Sequence, residues 1–194
     1  QFVIGILTVF ACKQAALGRG FGKLYSGLLK RVQQRLGLLP EVIEGREEAE
    51  LSFLGATAGV PDAAAPRLVM DLGGGSTELV LGDAGADAAY SMNIGCVRLF
   101  ERHLASDPPT EEQIDALRAD VDDAFTEAAQ HVDVSATRTL VGVAGTITTT
   151  AAAILDLPGY DREAIHGSAL TREQIVRAAD RLTAMTSDER RALP

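Results

Sequence analysis

The sequence predicts an α/β domain built on a mixed sheet: a three-strand antiparallel meander, then crossover helices. Three observations carry this. Arg67–Asp71, Glu78–Gly82 and Ala88–Asn93 are short apolar runs joined by glycine-containing turns, the signature of successive strands. Cys96–Leu104 and Thr110–Gln130 then repeat apolar residues at helical spacing. Arg138–Val143 returns to a strand and runs directly into a helix rich in Thr and Ala, as crossover units do.

Before that core, Phe2–Cys12 is an apolar run. It is too short to span a bilayer and lacks the basic start of a signal peptide, so it reads as a buried strand or a truncated element. Gly18–Gly22 is a breaker cluster. Leu24, Leu28, Val32 and Leu36 share one helical face, closed by Gly37 as C-cap. Arg19, Lys23, Lys30, Arg31 and Arg35 form the only locally basic segment and read as a solvated face. Pro40–Gly45 reads as a short strand and Arg46–Ala58 as a helix with Ala49, Phe53 and Ala56 on its buried side. Glu47 and Glu48 occupy its first turn. Acids there complement the helix dipole; the alternative is that one of them points outward as a general base.

Gly59–Pro66 is a loop, and the three strands follow. Gly95 opens the helix Cys96–Leu104, with Val97, Phe100 and Leu104 on one side. Pro108 and Pro109 stop the chain, and Thr110 with Gln113 forms a capping box that restarts it. His131 ends that second helix and reads as a terminus, not a ligand. Pro158-Gly159 breaks the chain after the Thr/Ala helix. His166-Gly167 forms a turn. Thr171 with Gln174, and Thr186 with Glu189, start the last helices.

The chain has 194 residues and a formal charge of −9, enough for one large domain or a pair of small lobes. Without a basic cluster after Gly37 it is not a duplex nucleic-acid binder. An anionic substrate stays open, because backbone amides and a metal can hold phosphate on an acidic protein. Cys12 and Cys96 have no metal-ligand spacing and no disulfide framework, which suits a reducing, cytoplasmic setting.

Two stretches carry chemistry. Asp71-Leu-Gly-Gly-Gly-Ser-Thr-Glu78 reads as strand, tight turn, strand. Its glycines admit close backbone approach, its amides and hydroxyls suit phosphate oxygens, and its carboxylates suit a hard cation. A plain glycine hairpin is the alternative. Gly145-Thr146 joins a strand to a helix start, a ready anion site; Thr146 as a simple helix cap is the competing reading.

In order and spacing, four segments resemble the exopolyphosphatase / guanosine pentaphosphate phosphohydrolase (Ppx/GppA) family: Glu41–Ala49, Asp71–Leu79, Asn93–Leu99 and Val141–Thr149. The order of elements is similar to a ribonuclease-H-like lobe of the actin-like ATPase superfamily. The resemblance implies residues 45–194 as the second such lobe, truncated at its C-terminus, and residues 1–44 as a poorly matching remnant of the first. It implies Mg²⁺-dependent release of terminal phosphate from inorganic polyphosphate in a bacterial enzyme, homodimeric at full length. Guanosine penta- or tetraphosphate is the alternative substrate, and a non-catalytic alarmone- or polyphosphate-binding module or an ATPase lobe are the alternative classes. Carried over by position, Glu48 is the catalytic glutamate, and Asp71 and Glu78 hold the metal. Gly73, Gly74, Gly75, Ser76 and Thr77 form one phosphate clamp, Gly145 and Thr146 the second, and Arg98 adds a contact. With no Asp-x-Gly-Ser-Asn loop from a first lobe, the 194-residue chain is expected to have little or no phosphatase activity by itself.

Overall fold

A computed structural model describes residues 31–37 and 45–192. The run Phe2–Cys12, read as a buried strand or a truncated element, and the strand expected at Pro40–Gly45 lie outside them, except that Gly45 is the first residue of a helix. The chain divides into two units, Gln1–Glu48 and Ala49–Pro194. In the first, residues 31–36 are helical. Gly37 ends them at φ +69°, its N–H donating to Gln33 O at 2.9 Å, as the C-cap reading expects.

Helix α1, Gly45–Ala58, crosses from the first unit into the second. The second unit continues with β1 Arg67–Leu72, β2 Thr77–Gly82 and β3 Ala86–Met92. Helices α2 Cys96–His103 and α3 Glu111–Ala128 come next, then a 3₁₀ turn Val134–Ala136 and β4 Thr139–Val143. The chain closes with α4 Gly145–Ile154, α5 Arg162–Ile165, α6 Arg172–Ala184 and α7 Ser187–Arg191.

The four strands form one sheet in the order β3-β2-β1-β4. β1 pairs antiparallel with β2, β2 antiparallel with β3, and β1 parallel with β4. β4 therefore has one neighbour among the described residues, and its Leu140 is 55% exposed.

Alternation along the strands sends side chains to two faces, and each face has its own core. On one, Val69 and Val80 pack under Phe53 of α1, flanked by Ala49, Ala56, Ala86, Val141 and Val143. On the other, Leu68, Leu79, Leu81 and Met92 pack with Ile94, Ala128 and Val132, which brings α3 onto the sheet. Asp120 of α3 joins α3 to α2, accepting from both Arg102 and His103 through Oδ2.

All three expected capping boxes are present, at Thr110/Gln113, Thr171/Gln174 and Thr186/Glu189. His131 lies three residues beyond α3 and stacks on Tyr90, ring centroids 4.4 Å apart. The short α5 has no counterpart in the sequence reading. Asp161 caps it by accepting from Glu163 N and Ala164 N. No helix among the described residues is long and apolar enough to cross a membrane.

Candidate functional site

Because β1 and β4 are parallel neighbours, with Asp71 opposite Val143, the segments that follow them leave the sheet at the same end. That brings the Gly73–Gly75 turn beside the start of α4. Crevices at the C-terminal ends of parallel strands are where open α/β sheets bind ligands.

The glycine turn is held from below by α2. Gly73 N–H donates to Ser76 O at 3.0 Å, closing the turn. Cys96 N–H donates to Gly73 O at 3.0 Å, and Val97 and Arg98 N–H donate to Gly74 O at 3.0 and 3.1 Å. The orphan donors that begin any helix are thus spent on the turn's carbonyls, and the turn cannot drift from α2. Arg98 adds a side-chain bond, Nε to Gly75 O at 2.9 Å. Arg98 therefore acts here as a brace on the turn.

Thr77 departs from the clamp expectation. It is 3% exposed, and its hydroxyl donates to Ile94 O at 2.8 Å. A hydroxyl has one proton to give, so this one fixes the exit of the turn and offers no donor to a phosphate. Ser76 is also buried, at 9% exposure, and contributes its carbonyl to the turn. The open part of the stretch is Gly75, which is exposed.

At the neighbouring turn, Ala144 is the N-cap of α4 with φ 76° and ψ 172°, a region occupied almost only by glycine and strained by about 1–3 kcal/mol for other residues. No side chain caps α4, so no side chain takes up its first amides. A methyl built on Gly145 would meet nothing within 4 Å. Thr146 is not the cap. Its hydroxyl donates to Cys96 Sγ at 3.2 Å, which ties the second turn to the first residue of α2. Sulfur is a weak acceptor, so that hydroxyl is held loosely.

Asp71 and Glu78 are directly opposed across β1 and β2. Burial, and then the charge of Glu78, push the Asp71 carboxyl above the ordinary carboxylate range. Two close carboxylates with one reluctant to ionise fit a hard divalent cation, which takes one or two carboxylates and fills its shell with water and substrate oxygens. Among the described residues no group of three or more His, Cys, Asp or Glu could hold a metal, so this pair would rely on such outside ligands.

The folded chain holds the Asp71 proton more tightly than the unfolded chain, so its favourable contribution is complete below about pH 3.9 and is lost as pH rises through the folded value. Asp71→Asn should therefore raise the thermal midpoint in metal-free buffer at pH 7.5 by more than at pH 4. Equal shifts at both pH values would contradict the assignment.

Glu48 lies in the first turn of α1, half-buried, and is the last residue of the first unit. The other site residues expected from the sequence all fall in the second unit. Two contributors escaped the sequence reading. Cys96 receives Thr146, and Ser91 donates to Glu78 Oε1 at 2.7 Å. Both contacts join distant segments and leave no local pattern.

Fold and site together define a class: a mixed α/β domain with two glycine turns and a carboxylate pair at one end of its sheet. The model of the Ppx/GppA phosphatase family matches residues 26–194, and the chain belongs to that family. It is 46% identical over 157 residues to exopolyphosphatase 2 of Mycobacterium tuberculosis, covering 81% of this chain and 49% of that protein. The crystal structure of an exopolyphosphatase-like protein, at 46% identity, superposes with a TM-score of 0.80 over 87% of this chain and 55% of the other. The Aquifex aeolicus PPX-GPPA enzyme superposes at 0.74 with 34% identity, over 86% of this chain and 54% of the other. The chain thus spans about half the length of the relatives it matches.

Proposed function

We propose that the second unit is the phosphate- and cation-holding lobe of an exopolyphosphatase, a hydrolase that releases terminal phosphate from inorganic polyphosphate. The observation that carries the reading is the meeting of the two glycine turns beside the Asp71–Glu78 pair, joined through the Cys96–Thr146 contact. The relatives named exopolyphosphatase support the substrate class. The strand order, with β1 and β4 parallel and three consecutive antiparallel strands, supports a ribonuclease-H-like lobe of the actin-like ATPase type. Residues 45–194 are read as that lobe and residues 1–44 as the remnant of another, in a cytoplasmic protein that is homodimeric at full length.

In this mechanism the uncapped amides at Gly145 and Thr146, with Gly75 of the first turn, take phosphate oxygens. The Thr146 hydroxyl exchanges its sulfur acceptor for a phosphate oxygen. Asp71 and Glu78 would hold Mg²⁺, which would neutralise charge on the anhydride. Phosphoryl transfer needs positioning and charge neutralisation more than covalent participation. Glu48, by resemblance, orients the attacking water. Glu48 stands at a helix start, where the dipole favours negative charge.

The test measures phosphate release from long polyphosphate, guanosine pentaphosphate and ATP side by side, with and without Mg²⁺, by a version spanning the full length of its relatives. Polyphosphate is expected to be preferred and Mg²⁺ required. A preference for the guanosine nucleotide would reassign the substrate, and metal-independent release would overturn the role of the pair. In the same protein Glu48→Gln is expected to lower kcat at least about a hundredfold with polyphosphate binding retained. Undiminished turnover would remove Glu48 from the mechanism.

A further inference from the structure

Ser91 stands on β3 directly opposite Glu78, and Glu78 stands directly opposite Asp71. The three residues form one row across three strands, and directly opposed residues share a face of the sheet. Ser91 Oγ donates to Glu78 Oε1 at 2.7 Å. Among the described residues this is the one hydrogen bond to the Glu78 carboxylate, and it engages a single oxygen. On its other side Glu78 meets Asp71, whose charge it opposes. Without that hydrogen bond, the three rotatable bonds of Glu78 would leave its carboxylate free to take other positions. The bond from the Ser91 hydroxyl is short, and it pins Oε1 on the β3 side.

We propose that Ser91 is a positioning residue for the cation. It fixes Glu78 through Oε1, so that Oε2 is presented next to Asp71 and the pair is set before a metal arrives. The proposal rests on the reading of Asp71 and Glu78 as the cation-holding pair. Carboxylate ligands are themselves commonly oriented by such outer hydrogen bonds, and loss of one typically weakens metal affinity about 10- to 100-fold.

The test uses Mn²⁺ as the probe and the 194-residue chain as it stands, with binding read from the loss of the free Mn²⁺ paramagnetic resonance signal and no turnover needed. Ser91→Ala and Ser91→Val are expected to raise the Kd for Mn²⁺ about tenfold, while Ser91→Thr, which keeps a hydroxyl, stays close to the parent. Val and Thr have nearly the same shape and both favour strands, so they differ in the hydroxyl alone and the comparison survives if the alanine variant folds poorly. Parent-like Mn²⁺ affinity in Ser91→Val, or equal losses in Val and Thr, would overturn the positioning role. Asp71→Asn and Glu78→Gln separate this from the underlying reading. If neither weakens Mn²⁺ binding, the pair is not the cation site and both ideas fall. If both weaken it and Ser91→Val does not, only the role of Ser91 falls.

Discussion

Gly95→Ala is expected to destabilise the second unit by about 3–5 kcal/mol, the sum of an overpacked contact and weakened backbone hydrogen bonds. The reason is space, not conformation. Gly95 has φ −162° and ψ 166°, extended values open to any residue. A methyl there would lie 2.6 Å from both Gly74 C and Gly74 O and 2.7 Å from Gly73 O. Those are backbone atoms, so no rotamer relieves the clash. Either α2 or the glycine turn must move, and the bonds from Cys96, Val97 and Arg98 to Gly73 and Gly74 then lengthen together. Gly145→Ala makes the matched control. Its methyl enters open space at the first position of α4, where alanine favours the helix, so stability should hold or rise. Phosphate binding should weaken in both variants, through a displaced turn in the first and an obstructed approach in the second. Urea unfolding and phosphate titration together check this. A Gly95→Ala chain as stable as the parent would mean that α2 does not hold the turn.

Phe53→Ala is expected to cost about 4 kcal/mol, within the usual range for removing a buried aromatic side chain and a large share of the typical 5–15 kcal/mol of a domain. Phe53 is 1% exposed and is the one large buried apolar side chain of α1, since Leu51 and Leu54 are 47% and 44% exposed. Around it stand Ala49, Ala56 and Ala86 beside Val69 and Val80. Alanines cannot extend into a vacated volume, so the cavity would persist. Thr57, the other buried residue of α1, donates its hydroxyl to Phe53 O at 2.8 Å and does not fill the space. A lower urea midpoint at constant slope is the expected measurement. A loss under about 1.5 kcal/mol, the size of a volume-conserving change, would show that the helix re-seats.

The elements that the sequence disclosed are those written in local spacing. Thr110/Gln113, Thr171/Gln174 and Thr186/Glu189 are three residues apart, and each closes its own helix start, so no tertiary knowledge is needed. The unbroken apolar runs in Arg67–Asp71 and Glu78–Gly82 likewise follow from a core on each face of the sheet. The strand–turn–strand at Asp71–Glu78 was legible because its glycines lie between two apolar runs, and the structure adds that Asp71 and Glu78 stand directly opposite each other. What stayed hidden depends on register between distant segments. Ser91 reaches Glu78 only because β3 pairs with β2 in one alignment, and Cys96 meets Thr146 across fifty positions of sequence. The inward turn of the Thr77 hydroxyl and the left-handed backbone of Ala144 are likewise set by packing, and residue type does not announce them.

β4 carries a consequence for how the isolated chain behaves in solution. Among the described residues its outer edge along Thr139–Val143 has no partner strand, and this uncharged, largely β-branched run includes the exposed Leu140. Such an edge is a template for strand addition between copies. The net charge of −9 opposes that encounter at low ionic strength, and salt screens the repulsion. Colloidal stability is thus governed by the buffer as much as by the sheet: the chain should stay monodisperse in dilute salt and associate edge to edge as salt and concentration rise together.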